Sequence, residues 1–276
     1  MAPGGAGQGS EREDDKRLGF FVVGAQKAGT TALFAKLTLH PGIAAPARKE
    51  LHFFDKNRTD WTRPEYSALH THFEGADPAL LWGEATPIYM FWPDAMARLA
   101  AYNPAARLIV MLRHPVYRAV SHWKMSRYRG HDPLSFEAAI APDSAALRPA
   151  VKPVEALRKF TYVERGFYAP QITRMLDLFP RDQVLFLRME DLACREAATL
   201  ARTFDFLGLP DHPMPAEMQG ARIVPVPSGD AEEMPPRAVL ERLAQGYHDD
   251  IRATATLTGL DLSDWLDPHY REPGLT

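Results

Sequence analysis

Short, unbroken apolar runs separated by segments of helical spacing dominate the pattern of this chain. LGFFVVG (residues 18–24) is rich in Phe and Val and is bounded by charge and by glycine. ARLIVMLRHP (106–115) repeats the pattern and turns polar at Arg113, and QVLFLRMEDL (183–192) is a third such run. Runs of this length without polar alternation predict strands buried on both faces. Between them, residues 30–40 carry Ala32, Leu33, Phe34 and Leu37 at helical positions, and HPG stops them. Pro115 suits the first turn of a helix reaching about Tyr128. Residues 168–180 have Ile172, Met175, Leu176 and Phe179 at helical spacing, and residues 195–210 form a further helix with Gly208 as its stop. Apolar strands alternating with helices predict an α/β fold with a parallel sheet. Residues 141–153 and 219–236 are too rich in proline for element interiors and are expected as loops, the second a candidate lid over a ligand.

Composition narrows the class. The chain has 276 residues, 46% hydrophobic and 24% charged, so one large domain over residues 18–276 is expected. Residues 1–17 are Gly-rich and then charged, without an apolar signal core, and read as a disordered tail. A net charge of -3 and a pI near 6.4 argue against a general nucleic-acid binder. The single cysteine, Cys194, allows no intrachain disulfide and fits a reducing cytoplasm. No stretch approaches the roughly 18 apolar residues of a membrane span. High Ala, Arg and Pro content is compatible with a GC-rich bacterial source. The ten histidines are scattered; His70 and His72 are close, but no carboxylate or cysteine pattern completes a metal site, and none is expected.

The first apolar run feeds GAQKAGTT (24–31), which almost matches the phosphate-binding pattern G-x-x-x-x-G-K-[ST]. Gly24 and Gly29 have the right spacing, but Thr30 stands where the lysine belongs, and Lys27 lies inside the loop. The backbone logic survives: a glycine turn and a helix N-terminus present free N–H groups and a favourable dipole to a compact anion. Thr30 and Thr31 add hydroxyl donors. The kinase arrangement fails, because it needs a lysine at the helix start beside a hydroxyl on Mg²⁺. A second candidate anion site lies in LRHPVYRAVSHW (112–123). Arg113 closes a strand and offers a planar donor fork, and Ser121 follows on the next helix. Two anion sites at adjacent strand ends fit a nucleotide with phosphates at both ends.

These residues resemble the sulfotransferases that use 3′-phosphoadenosine 5′-phosphosulfate (PAPS), and most of all the bacterial and carbohydrate, heparan-sulfate type. GAQKAGTTAL is similar to their 5′-phosphosulfate loop and LRHPVYRAVSHW to their 3′-phosphate motif. KELHFFD (49–55), GEATPIYMF (83–91) and TGLDLSDWL (258–266) follow in the same order. The resemblance spans about residues 18–266 and implies a P-loop-like three-layer α/β/α domain with a central parallel sheet. It implies that Lys27, Ala28, Gly29, Thr30 and Thr31 cradle the phosphosulfate and that Arg113 and Ser121 hold the 3′-phosphate. It implies Glu50 as the general base. His52, Phe53, Phe54, Asp55, Thr86 and Pro87 would face the acceptor.

The expected reaction is sulfuryl transfer to a hydroxyl, or failing that an amine, of a carbohydrate or small metabolite. Lys27 would stabilise the leaving phosphate, Glu50 would take the proton, and no metal is required. His52 is a reserve base, an acceptor contact or a packed ring. The sequence departs from the heparan-type pattern twice. Ala85 replaces the lysine that commonly precedes the Thr-Pro turn, which weakens the case for a highly sulfated glycan. GARIVPVPSGDAEEMPP replaces the basic loop that closes over the nucleotide, leaving Arg222 as a candidate contact. Two other readings stay open here: a P-loop kinase or NTPase with an aberrant loop, and a non-catalytic nucleotide-binding protein of the same fold.

Overall fold

The computed structural model describes residues 16–148, 150–218 and 234–273. Five parallel strands form the sheet: β1 (Phe20–Gly24), β2 (Ile43–Ala44), β3 (Leu81–Ala85), β4 (Arg107–Leu112) and β5 (Val184–Arg188), in the spatial order β2-β3-β1-β4-β5. Helices α1 (Thr30–Leu37), α2 (Ser67–His70), α3 (Ala95–Tyr102), α4 (Pro115–Tyr128) and α5 (Phe136–Ile140) come first. Then follow α6 (Pro153–Lys159), α7 (Ala169–Leu176), α8 (Met189–Cys194), α9 (Glu196–Leu207) and α10 (Arg237–Thr258).

The three apolar runs are two of the inner strands, β1 and β4, and one edge, β5. Phe20, Phe21, Val22 and Val23 are fully buried, as are residues Leu108 to Leu112. Strands covered on both faces have no room for polar alternation, which is why they read as continuous apolar runs. Strand β1 lies between β3 and β4, with Val22 beside Ala85 on one side and Gly24 beside Val110 on the other. The chain therefore reverses direction across the sheet at β1, and the crevice beyond the carboxyl ends of β1 and β4 is where open α/β sheets take ligands.

Helix α4 has the bounds that Pro115 and Tyr128 suggested, and α9 ends at Gly208. Three elements carry no strong signal. β2 is two residues long, β3 has the buried Glu84 inside it, and the 22-residue α10 follows a proline-rich segment. The expected 183–192 strand stops at Arg188 and continues as helix α8. Of the expected tail, residues 16 and 17 are packed: the Arg17 guanidinium lies 5.1 and 5.0 Å from the rings of Tyr66 and Tyr102. Residues 1–15 and the proposed lid with Arg222 lie outside the described residues.

Candidate active site

The turn after β1 is built around two close constraints. A side chain on Gly24 would meet Met90 Sδ at 2.6 Å, so only glycine lets the 86–90 turn pack on the loop. Gly29 caps α1 with φ 82°, a left-handed conformation, and Lys27 shares it with φ 72°. Left-handed residues in such a turn aim successive amides into one concavity that suits an anion. Thr30 is thus the first helical residue, not the cap. Among the described residues neither Thr30 nor Thr31 spends its hydroxyl on a protein partner. The Ala25 amide donates to Met111 O at 2.6 Å, which fixes the loop against β4.

Arg113, at the end of β4, donates from Nη1 to Lys27 O at 2.9 Å, so the two candidate anion sites are one structure. Its Nε and Nη2 both reach the carboxylate of Glu272, each at 2.5 Å. On α4, Ser121 is partly exposed with an unengaged hydroxyl, while Arg118 and His122 are fully buried. Arg118 gives one hydrogen bond, from Nη2 to Tyr162 O, and leaves Nε and Nη1 without partners; His122 Nδ1 is also unpartnered. Arg165, likewise buried, donates to Gln26 of the loop and, at 2.9 Å each, to Leu157 O and Arg158 O. Burial, followed by repulsion from Arg113 and Arg129, lowers the Lys27 ammonium to about 8. Burial and the Arg118 and Arg158 charges lower Arg165 to about 9. Cations packed together this way, against their own solvation, suit an anionic ligand.

Glu50 stands at the other side of the crevice, pinned by its amide to Ala85 O at the end of β3, 3.1 Å away. Glu50 and His52 both hold positive φ, 64° and 53°, which non-glycine residues adopt at a cost of about 1–3 kcal/mol. Supports from the 84–89 turn hold that shape. The His52 amide donates to Thr86 Oγ1 at 3.4 Å, and that hydroxyl donates to buried Glu84 at 2.8 Å. The Tyr89 hydroxyl accepts from the Phe53 amide at 2.8 Å. The His52 ring lies between two carboxylates, with Nδ1 2.9 Å from Asp55 and Nε2 3.7 Å from Glu50. Burial opposes ionisation in both groups, but the Asp55 and Glu50 hydrogen bonds outweigh it and raise His52 to about 9. For Glu50 the same burial is outweighed by His52 and by Lys49, 3.0 Å away, and its pKa falls to about 2. Burial, against the Thr86 and Tyr89 hydrogen bonds, raises Glu84 to about 7. At neutral pH the corner therefore holds an ionised carboxylate at the surface, an imidazolium beside it and a buried Asp55 behind, itself 2.6 Å from Arg158.

Residues 19–220 match the model of the sulfotransferase domain. The chain belongs to the sulfotransferase family. It is 30% identical to mouse heparan sulfate glucosamine 3-O-sulfotransferase 6 in an alignment of 261 positions that covers 87% of this chain and 71% of that protein. It is 32% identical to mouse heparan sulfate glucosamine 3-O-sulfotransferase 3A1 over 227 residues, covering 75% of this chain but 53% of that relative. Among solved structures, the sulfotransferase from Alicyclobacillus acidocaldarius superposes with a TM-score of 0.75 and 29% identity, over 91% of this chain and 99% of that one. The fold is thus the P-loop-like α/β fold of sulfotransferases, and the chain is a sulfotransferase enzyme.

In this sulfotransferase the residues singled out from the sequence separate into two groups. Lys27, Ala28, Gly29, Thr30, Thr31, Arg113 and Glu50 gather at the carboxyl ends of β1, β3 and β4, and Ser121 lies about two turns along α4. Phe53, Phe54, Asp55, Thr86 and Pro87 were expected to face the acceptor, yet all are buried. Phe53 and Phe54 pack on Trp61 and Tyr89 in the aromatic core, and Asp55 and Thr86 act behind His52. Of that stretch, Glu50 and His52 reach the crevice. Sequence reading passed over Gln26, Arg158, Arg165 and Glu272. Their contacts bridge 103 to 159 residues, so no local spacing reveals them. The unabsorbed arginine in LRHPVYRAV was the available signal for Arg118. His70, considered for a metal, hydrogen-bonds the Tyr102 hydroxyl at 2.9 Å. Among the described residues no helix is long and apolar enough to cross a membrane.

Proposed function

We propose that this sulfotransferase moves a sulfuryl group from PAPS to a hydroxyl of a carbohydrate or small natural-product acceptor. One observation carries the reading: the hydrogen bond from Arg113 to Lys27 O joins both anion-binding halves into one crevice, with Glu50 at its other wall. The cations crowded about the loop, Lys27, Arg113 and Arg165, fit a nucleotide with phosphates at both ends. When bound, PAPS supplies an activated sulfuryl group whose leaving group is a 5′-phosphate. The loop amides, Thr30 and Thr31 hold that end. Lys27 meets negative charge as it grows there, and Arg113 and Ser121 hold the 3′ end. Glu50 accepts the proton of the acceptor hydroxyl. His52, protonated and held by Asp55, orients the carboxylate and is not itself the base.

The names of the relatives favour a glycan acceptor. Ala85, standing where heparan-type enzymes carry a lysine, favours a less anionic one, such as a cell-envelope glycolipid or a natural product. A cytoplasmic location belongs to the same reading and draws on the lone, exposed Cys194.

Thermal shift tests the donor. Adenosine 3′,5′-bisphosphate should stabilise the protein by RT ln(1 + [L]/Kd), and ATP with Mg²⁺ should not. Stabilisation by ATP–Mg²⁺ alone would return the protein to the kinase reading. A radiolabelled PAPS assay over hydroxyl acceptors then identifies the substrate class.

A further inference from the structure

We propose that Glu272 is a built-in occupant of the 3′-phosphate subsite, a tethered competitor that a nucleotide bearing a 3′-phosphate must displace and that tempers its affinity. The inference rests on the PAPS reading above and adds to it a residue that lies beyond the TGLDLSDWL motif. Arg113 has no spare nitrogen: Nη1 serves Lys27 O, and Nε and Nη2 grip the two oxygens of Glu272. This two-pronged grip on a carboxylate is the same fork a phosphate would use. The Glu272 side chain is fully buried and that of Arg113 nearly so.

The segment that delivers Glu272 is anchored to the same motif as Arg113. After the short helix Ser263–Leu266 the chain packs against the first turn of α4. Tyr270 stacks on His114, the neighbour of Arg113, with ring centroids 4.7 Å apart and planes 13° apart. Its hydroxyl donates to Glu190, and its carbonyl accepts from the Tyr117 hydroxyl at 3.2 Å. The C-terminal strap and the 3′-phosphate motif therefore form one unit, closed by a carboxylate. A 3′-phosphate brings more charge and more oxygens to Arg113 than a carboxylate does, and it can also use the free Ser121 hydroxyl. A nucleotide without that phosphate gains nothing at Arg113 and leaves the strap shut. Because the competitor is tethered, every 3′-phosphorylated ligand binds with an affinity reduced by the fraction of molecules in which the strap is open.

The test is calorimetric titration of the full-length protein with adenosine 3′,5′-bisphosphate and with AMP, in wild type, Glu272→Gln and Glu272→Ala. If the strap is open about one-tenth of the time, both variants bind the bisphosphate about tenfold more tightly. AMP affinity then changes less than about twofold, since AMP never competes with Glu272. A second measurement needs no variant: the bisphosphate, but not AMP, should speed tryptic cleavage after the exposed Arg271 of wild type. Unchanged or weaker bisphosphate binding in the variants, an equal gain for AMP, or cleavage indifferent to the bisphosphate would each overturn the role of Glu272. Those results leave the PAPS reading standing. Folded wild type and variants that all ignore the bisphosphate would remove the PAPS reading itself.

Discussion

In the proposed mechanism Lys27 is positive where the leaving group becomes negative, yet burial and then the neighbouring cations lower its pKa to about 8. Its useful form is the protonated one. Activity should therefore be present below about pH 8 and fall as pH rises through it, and kcat/KM reports this because it reflects the free enzyme. Lys27→Arg should abolish the limb near 8, since a guanidinium stays charged, and leave any later loss to His52 near about 9. A limb that stays near 8 in Lys27→Arg would assign it to another group. Glu50 behaves oppositely. With its pKa at about 2 it is ionised across the neutral range, so no acid limb from Glu50 is expected at ordinary assay pH. Glu50→Gln should keep bisphosphate affinity and lose roughly 10²–10⁴-fold in turnover, the range for a general base. Turnover close to wild type would take Glu50 out of the mechanism.

At the scale of elements, the proposed catalytic corner is one turn held in shape by another. Glu50 and His52 keep their left-handed backbone because the 84–89 turn catches the amides of this stretch, with Ala85 O on Glu50, Thr86 on His52 and Tyr89 on Phe53. Tyr89→Phe leaves the buried Phe53 amide without an acceptor, which costs about 1–3 kcal/mol. Urea denaturation should show that loss, and turnover should fall with bisphosphate affinity unchanged, because the nucleotide loop is a separate support. Normal turnover in a destabilised Tyr89→Phe would show that Glu50 keeps its place without this bond. The same dependence explains what the sequence made legible. β1 and β4 announce themselves as apolar runs because both faces are covered, and the loop and Arg113 follow directly from their ends. β3 is hidden because its buried Glu84 interrupts the pattern in order to hold Thr86. The role of Asp55 is hidden because it depends on Arg158, which arrives from α6. A short spacing can encode a loop on a helix, but not a contact between elements a hundred residues apart.

At the scale of the whole molecule, the proposed nucleotide crevice and the layer beneath it concentrate positive charge that the protein itself only partly answers. Lys27, Arg113, Arg118 and Arg165 are mutually repelling or crowded, and Glu272 pairs with one of them. Arg118 is the extreme case, fully buried with two unpartnered nitrogens. An uncompensated buried charge costs several kcal/mol, whereas an apolar side chain of similar volume often restores stability. The fold thus carries a strain that a polyanionic ligand relieves, and stability and function pull in different directions here. Arg118→Met keeps much of the stem and removes the charge. It should raise the melting temperature of the ligand-free protein, at roughly 2–4 °C per kcal/mol for a chain of this size. The extra stabilisation conferred by adenosine 3′,5′-bisphosphate should shrink in the same variant, because part of the field that attracts the anion is gone. A scan with and without the bisphosphate measures both. If Arg118→Met instead melts earlier and responds to the ligand like wild type, the bond to Tyr162 O outweighs the buried charge, and Arg118 is a strut between α4 and the 160s loop.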